Sequence, residues 1–226
     1  MKKTLIALIA ALACMTSCSI NIDLDAYTQG GADITNGPVS NLDILWGTGA
    51  VQIRYWNENY ISFFEEEFGT RPISEPMCYY FDGKNLRIRD TRRGLSSNAK
   101  KLVLYVPSGI TLQRVDIETG SADIDVDLDC TNLDIETDYG GIYYTTENRR
   151  MSSIDIENEN GETEIYFPVD IYGFKCTFES DGRLISDFGP LDLSPSMGWY
   201  IYGTGGTSID FESFNRDLKI YVNKGK

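Results

Sequence analysis

The phrase VDIETGSADIDV at residues 115–126 returns as LDIETDYGGIYY at 133–144, and this repetition constrains the fold more than any other feature of the chain. Two further phrases align with them without gaps, LDILWGTGAVQI (42–53) and YIYGTGGTSIDF (200–211). Apolar residues hold positions one, three, ten and twelve of each. Period-two alternation predicts strands with one buried face, and the Gly- or Asp-rich middle supplies residues that turn. Each phrase therefore reads strand, turn, strand. IDIENENGETEIYF (154–167) reads as a fifth copy with two extra turn residues, and FKCTFESDGRLISDF (174–188) as a degenerate sixth. The starts Val115, Leu133, Ile154 and Phe174 are 18, 21 and 20 residues apart, and a fixed interval of this size signals stacked units. One hairpin is too small to stand alone, but copies laid on one another bury a continuous interior. The expectation is an all-β, single-chain β-solenoid of roughly 20-residue coils. A helix is excluded because Asp at every second position from Asp123 to Asp129 would charge all its faces. A two-sheet immunoglobulin-like sandwich is the alternative; it explains alternation and turns but predicts no likeness between successive strand pairs.

The segment LVLYVPSGITLQRVDIETGSADIDVDLDCTNLDIETDYGGI (102–142), with its YVP-x-G lead-in and its V-x-I-x-T-x-S-A-D-I core, resembles the bacterial β-strand-repeat families of adhesin-like proteins, among them the head GIN domain group. The resemblance runs from about residue 42 to the C-terminus and is clearest over 102–188. It implies a right-handed β-solenoid on the cell envelope and brings no catalytic residues with it.

The opening MKKTLIALIAALACMTSC places Lys2 and Lys3 before eleven apolar residues, too few to span a bilayer, which takes roughly 20. It reads as a secretory signal. Met15-Thr16-Ser17-Cys18 resembles the lipobox of bacterial lipoproteins, with Met15 where Leu is usual, and so implies a signal peptide over 1–17 and lipid attachment at Cys18. Cys14, after Ala11-Leu12-Ala13, is a competing site that would leave a very short apolar region; ordinary cleavage to a secreted protein is the other alternative. Residues 18–41 then read as a polar, Gly-containing tether, and 42–226 as the repeat domain with an insertion at 55–81. The address implied is the bacterial envelope, at the outer membrane or cell surface.

The whole chain carries a formal charge of −14. Removing the signal takes away two lysines, which leaves 18 basic residues against 34 acidic and a charge of −16. Such a chain repels polyanions, and nucleic acid is excluded as a partner because counterion release needs a basic stripe. The one short basic run, Arg87, Arg89, Arg92 and Arg93, is embedded in acid. Beyond the N-terminus three cysteines remain, Cys78, Cys130 and Cys176; an odd count argues against a dense disulfide framework, though one bridge between two of them stays open. Cys130 and Cys176 continue apolar alternations and are expected to point inward. The chain has no histidine, which removes His-based triads and His-ligated zinc.

Asp-Ile-Glu occurs three times, and in-register coils would place Asp116, Asp134 and Asp155 in one column and Glu118, Glu136 and Glu157 in another. At a rung spacing of about 4.8 Å, neighbouring charges repel by roughly 0.9 kcal/mol in water. The columns are thus expected to persist as a solvated acidic face without a cation. Calcium, which takes six to eight oxygens, is the candidate cofactor at these six residues, and no other cofactor is implied. The aromatic insertion 55–81 breaks the periodicity. Its centre reads as a short amphipathic helix with Ile61, Phe64 and Phe68 on one face, and the insertion as an end cap or as a ligand platform made by Trp56, Tyr60 and Phe63. No nucleophile elbow, phosphate loop or metal-ligand spacing is present. The function expected is therefore non-catalytic: a lipid-anchored envelope protein presenting a surface for adhesion or for a glycan or protein ligand. A periplasm-facing structural or regulatory protein is the alternative, and a polysaccharide-cleaving enzyme the third reading.

Overall fold

A computed structural model of the chain describes residues 26–35, 37–67, 76–91, 100–189 and 198–223. Alternating sequence becomes strand throughout: β1 (Thr28–Gln29), β2 (Ala32–Ile34), β3 (Asn41–Trp56), β4 (Ile61–Glu67), β5 (Cys78–Phe81), β6 (Asn85–Arg89), β7 (Lys100–Pro107), β8 (Leu112–Asp127) and β9 (Cys130–Tyr139). The series continues with β10 (Ile142–Thr145), β11 (Ser153–Asn158), β12 (Thr163–Pro168), β13 (Gly173–Glu179), β14 (Leu184–Ser186), β15 (Trp199–Gly203), β16 (Thr207–Glu212) and β17 (Leu218–Asn223).

Pairing sorts these strands into two parallel ladders. The first runs β6, the first half of β3, the first half of β8, β9, β11, β16 and β13. The second runs β7, the second half of β3, the second half of β8, β10, β12, β17 and β14. Because β3 and β8 belong to both, all seventeen strands connect into one sheet. Register is strict: Ile44, Ile117, Ile135, Ile156 and Phe211 oppose one another in sequence along the first ladder, and Val51, Ile124, Ile142, Thr163 and Leu218 do so along the second. All ten are buried. Each buried Ile or Leu contributes roughly 1.5–3 kcal/mol, so each strand is held chiefly by the apolar residues that its ladder neighbours bring into register with its own.

The inward faces of the two ladders share one core. Tyr144 of the second reaches Cys130 of the first, oxygen to sulfur 3.5 Å, and its hydroxyl donates to the Met151 sulfur at 3.1 Å. Phe167 of β12 stacks on Phe174 of β13 with ring centroids 5.9 Å apart. Where the chain passes from one ladder to the other, the corner is lined by small polar residues. The Thr119 hydroxyl donates to that of Thr137 at 2.7 Å, and Asn158 donates to Thr163 and to the Gly140 carbonyl. Glycine is required at this corner by close approach: a Cβ on Gly161 would lie 1.5 Å from the Gly140 carbonyl oxygen, and one on Gly140 would lie 2.1 Å from that of Ala122.

The order of strands along the two ladders is not their order in the chain. β3 lies between β6 and β7 on one side and β8 on the other. At the other end β16 and β17 sit between β11 and β12 on one side and β13 and β14 on the other. Antiparallel strands close the ends: β4 lies on β7 and β2 on β4, β5 on β6 and β1 on β5, and β15 on β13.

Several sequence expectations change here. Residues 61–67 form the strand β4 and not a helix; Ile61 and Phe63 point inward while Phe64 is exposed, a period of two, and Phe68 lies outside the described residues. The insertion supplies cap strands. The fifth copy needs no extra turn residues, because Thr163 itself takes the tenth position opposite Ile142. The phrase 200–211 straddles two elements. Tyr200 and Tyr202 belong to β15, antiparallel to β13, whereas Ile209 and Phe211 oppose Ile154 and Ile156, and so take the first and third positions of a strand–turn–strand phrase that β17 completes. Of the stretch read as a tether, Thr28–Gln29 and Ala32–Ile34 pair with cap strands.

Candidate functional site

Alternation that buries one face displays the other, so each ladder carries a row-ordered outer surface. On the first ladder the opposed residues are Asp43, Asp116, Asp134, Asp155 and Asp210 in one column, and Glu118, Glu136, Glu157 and Glu212 in the next. The six carboxylates singled out in the sequence are therefore brought together in the expected rows. Cations meet only part of them: Arg89 donates to Asp43 at 2.5 Å, and Arg114 bridges Asp116 at 3.1 Å and Asp134 at 2.8 Å. Lost hydration, followed by the neighbouring carboxylate, pushes the Asp116, Glu118, Asp134, Asp155 and Glu157 carboxyls above their ordinary range, with Arg114 partly offsetting this at Asp116 and Asp134. Among the described residues no group of three or more Cys, Asp or Glu side chains is arranged to hold a metal ion.

The outer face of the second ladder is different in kind. Thr145, Tyr166 and Tyr221 oppose one another on β10, β12 and β17, and Tyr143 stands beside them on β10. These rings lie in a trough of about 700 Å³ with Asp125 and Asp127 at the β8 end, Glu147 beside β10 and Asp187 just past β14. Arg54 pairs with Asp125, and the Asn223 amide donates to Glu147 at 2.6 Å. The Tyr166 and Tyr221 rings are 5.5 Å apart and tilted by 45°. The Tyr166 hydroxyl donates to Glu164 at 2.5 Å, and that bond, with burial second, pushes its pKa up to about 12. Sequence reasoning did not find this trough. The alternation places Tyr143, Tyr166 and Tyr221 outward, but their adjacency depends on β17 pairing with β12 across a gap of more than fifty residues.

The platform expected in the insertion is divided by the fold. Phe63 is 1% exposed and packs edge-on against Tyr79 in the core. Trp56 and Tyr60 are half-buried, but Trp56 lies face to face with Tyr105 at 5.1 Å and 17° and takes the edge of Tyr60 on its other contact, so its ring is engaged within the protein. Cys18 lies outside the described residues. Cys78, Cys130 and Cys176 are free, buried thiols, and burial pushes the last two up to about 12, far from the range of a reactive thiolate. Beneath the β4 cap, Lys100 is 3% exposed, with its ammonium 2.5 Å from Glu65, 3.1 Å from Asp90 and 5.4 Å from the Trp46 ring.

No known family profile matches the chain, and no curated protein matches it. Among solved structures it is similar to a "putative cell adhesion protein" from Clostridium sporogenes, at 14% identity and a TM-score of 0.56, over 87% of this chain and 100% of that one. A second likeness, to a "putative adhesin" from Bacteroides fragilis, covers 87% of this chain and 97% of that one at 11% identity, and its TM-score of 0.32 is too low to carry an argument. The Clostridium structure shares the fold.

Proposed function

We propose that this chain is a lipid-anchored, non-catalytic protein of the bacterial envelope whose β-strands wind as a right-handed solenoid and present its outer faces for adhesion. The solenoid reading is supported by the in-register parallel columns and by the contacts that Tyr144 and Phe167 make across the core. The hand is that of parallel strands joined by crossovers in general. Anchoring rests on the Met15-Thr16-Ser17-Cys18 lipobox, with the segment before the first described strand as the spacer. The observation that carries the adhesive role is the ordered outer face of the second ladder, a trough with three tyrosines and four carboxylates on a rigid sheet, in a fold shared with a structure described as a cell adhesion protein.

Protease shaving of intact cells tests the placement. Digestion of the full-length protein without opening the outer membrane is expected; resistance until the membrane is breached would leave a periplasm-facing protein instead. Radiolabelled palmitate is expected to enter the wild type and not Cys18→Ala. A polysaccharide panel incubated with purified protein is expected to release no reducing ends.

A further inference from the structure

We infer that the tyrosine trough on the second ladder is a binding site for an extended, lysine- or arginine-bearing peptide segment. This rests on the adhesive reading above and names its ligand chemistry.

Shape comes first. The lining runs perpendicular to the strands, from Asp125 and Asp127 on β8 across β10, β12 and β17 to Asp187 past β14. Four rung spacings of about 4.8 Å make that roughly 19 Å, the length of an extended peptide of about six residues at 3.3 Å each. Charge decides which polymer. Asp125, Asp127, Glu147 and Asp187 line the trough, and among the described residues no lysine or arginine does; Arg54 answers Asp125, from its margin. Asp127 and Asp187 accept no side-chain hydrogen bond and no ion pair among the described residues. An anionic occupant is thus repelled, and a cationic one gains both Coulomb attraction and the ring faces.

The tilt of the rings separates a cation from a sugar. A pyranose stacks on a flat aromatic surface, whereas Tyr166 and Tyr221 meet at 45°, a partial cage in which an ammonium or guanidinium sits within about 6 Å of more than one ring centroid. The hydroxyl that Tyr166 turns to Glu164 holds its ring in place. Carboxylates at both ends with rings between them fit side chains of alternate residues in a strand-like peptide, which point the same way every two residues.

The acidic columns of the first ladder would also attract any polycation, so the test turns on the tyrosines. Fluorescein-labelled hexalysine is titrated by anisotropy into the purified mature-length protein at physiological salt. Tyr166→Ala and Tyr221→Ala, which leave the charge unchanged, are each expected to weaken binding about 3- to 30-fold, the span of one cation–π contact. Asp127→Asn is expected to weaken binding and flatten its salt dependence, and Asp155→Asn on the first ladder to leave it unchanged. Tyr166→Phe keeps the ring and is expected to retain most of the affinity. Thermal melts confirm that the outward substitutions leave the fold intact. Equal affinity of wild type and both tyrosine variants would overturn the site in favour of diffuse attraction, and so would cellohexaose displacing the probe, which would assign the trough to a neutral glycan. Either result leaves the surface placement, read separately by shaving, where it stands.

Discussion

Single residues set the spacing between neighbouring strands, and glycine shows it best. A methyl group added at Gly161 would collide with the Gly140 carbonyl at 1.5 Å, whereas one added at Gly120, at the midpoint of β8, finds its nearest atom at 3.5 Å, an ordinary contact. Gly161→Ala is therefore expected to cost about 1–3 kcal/mol by forcing backbone apart, and Gly120→Ala less than about 0.5 kcal/mol; chemical denaturation of the two variants measures the difference. Lys100 is the second such residue. Its ammonium pairs with both Glu65 and Asp90 in a place where their side chains are only 6% and 2% exposed. Lys100→Ala buries that negative charge without its ammonium and is expected to destabilise by about 3–5 kcal/mol, seen as a lowered denaturation midpoint. None of this was legible locally: Lys100 comes beneath Glu65 only because β7, some 35 residues on, pairs with β4.

Columns of like charge make the elements sensitive to pH in a definite direction. The carboxyls of Asp116, Glu118, Asp134, Asp155 and Glu157 are raised in the folded state above their ordinary values of 3.8 and 4.5. The native protein then holds more protons than the unfolded chain in that range, so their contribution is fully present below the ordinary values and is lost as pH rises through the raised ones. Asp82 and Asp217, lowered by hydrogen bonds from Asn85 and Arg183, act oppositely as pH falls further. Melting temperature is expected to rise as pH is lowered from 7 to mildly acid values, and the double variant Asp155→Asn, Glu157→Gln to be more stable at pH 7 with a shallower pH profile. These columns were readable from three occurrences of Asp-Ile-Glu, because Val115, Leu133 and Ile154 mark one register by side-chain type alone. The cap was readable as a cap but not as strands. Ile61, Phe64 and Phe68 satisfy a helical spacing as well as Ile61 and Phe63 satisfy a strand, and the choice was made by β7 offering an edge.

At the scale of the molecule the sequence interval of about twenty residues suggested coils laid down in chain order, and pairing refutes that at both ends. Phe174 follows Ile154 in sequence, yet β16 separates their strands: Ile209 and Phe211 continue the columns of Ile154 and Ile156, and Cys176 and Phe178 of β13 lie one strand further on. The signal was present in TSIDFE and LKIYV but hidden by the Gly-rich run before it, which aligned the wrong halves. A truncation after residue 189 removes β16 and β17, which are interior strands of the two ladders and not terminal ones. It is expected to abolish cooperative unfolding and to yield aggregates in size-exclusion chromatography, since β13 and β14 lose their parallel neighbours and β11 and β12 are left as open edges.

That swapped order has a bearing on biosynthesis. A polypeptide of this kind cannot zip shut in the order in which it is made, because β16 and β17, made after β13 and β14, lie between these and β11 and β12. Until they arrive, the strands on either side have no parallel partner to rest on, so completion of both ladders waits on residues 207–223.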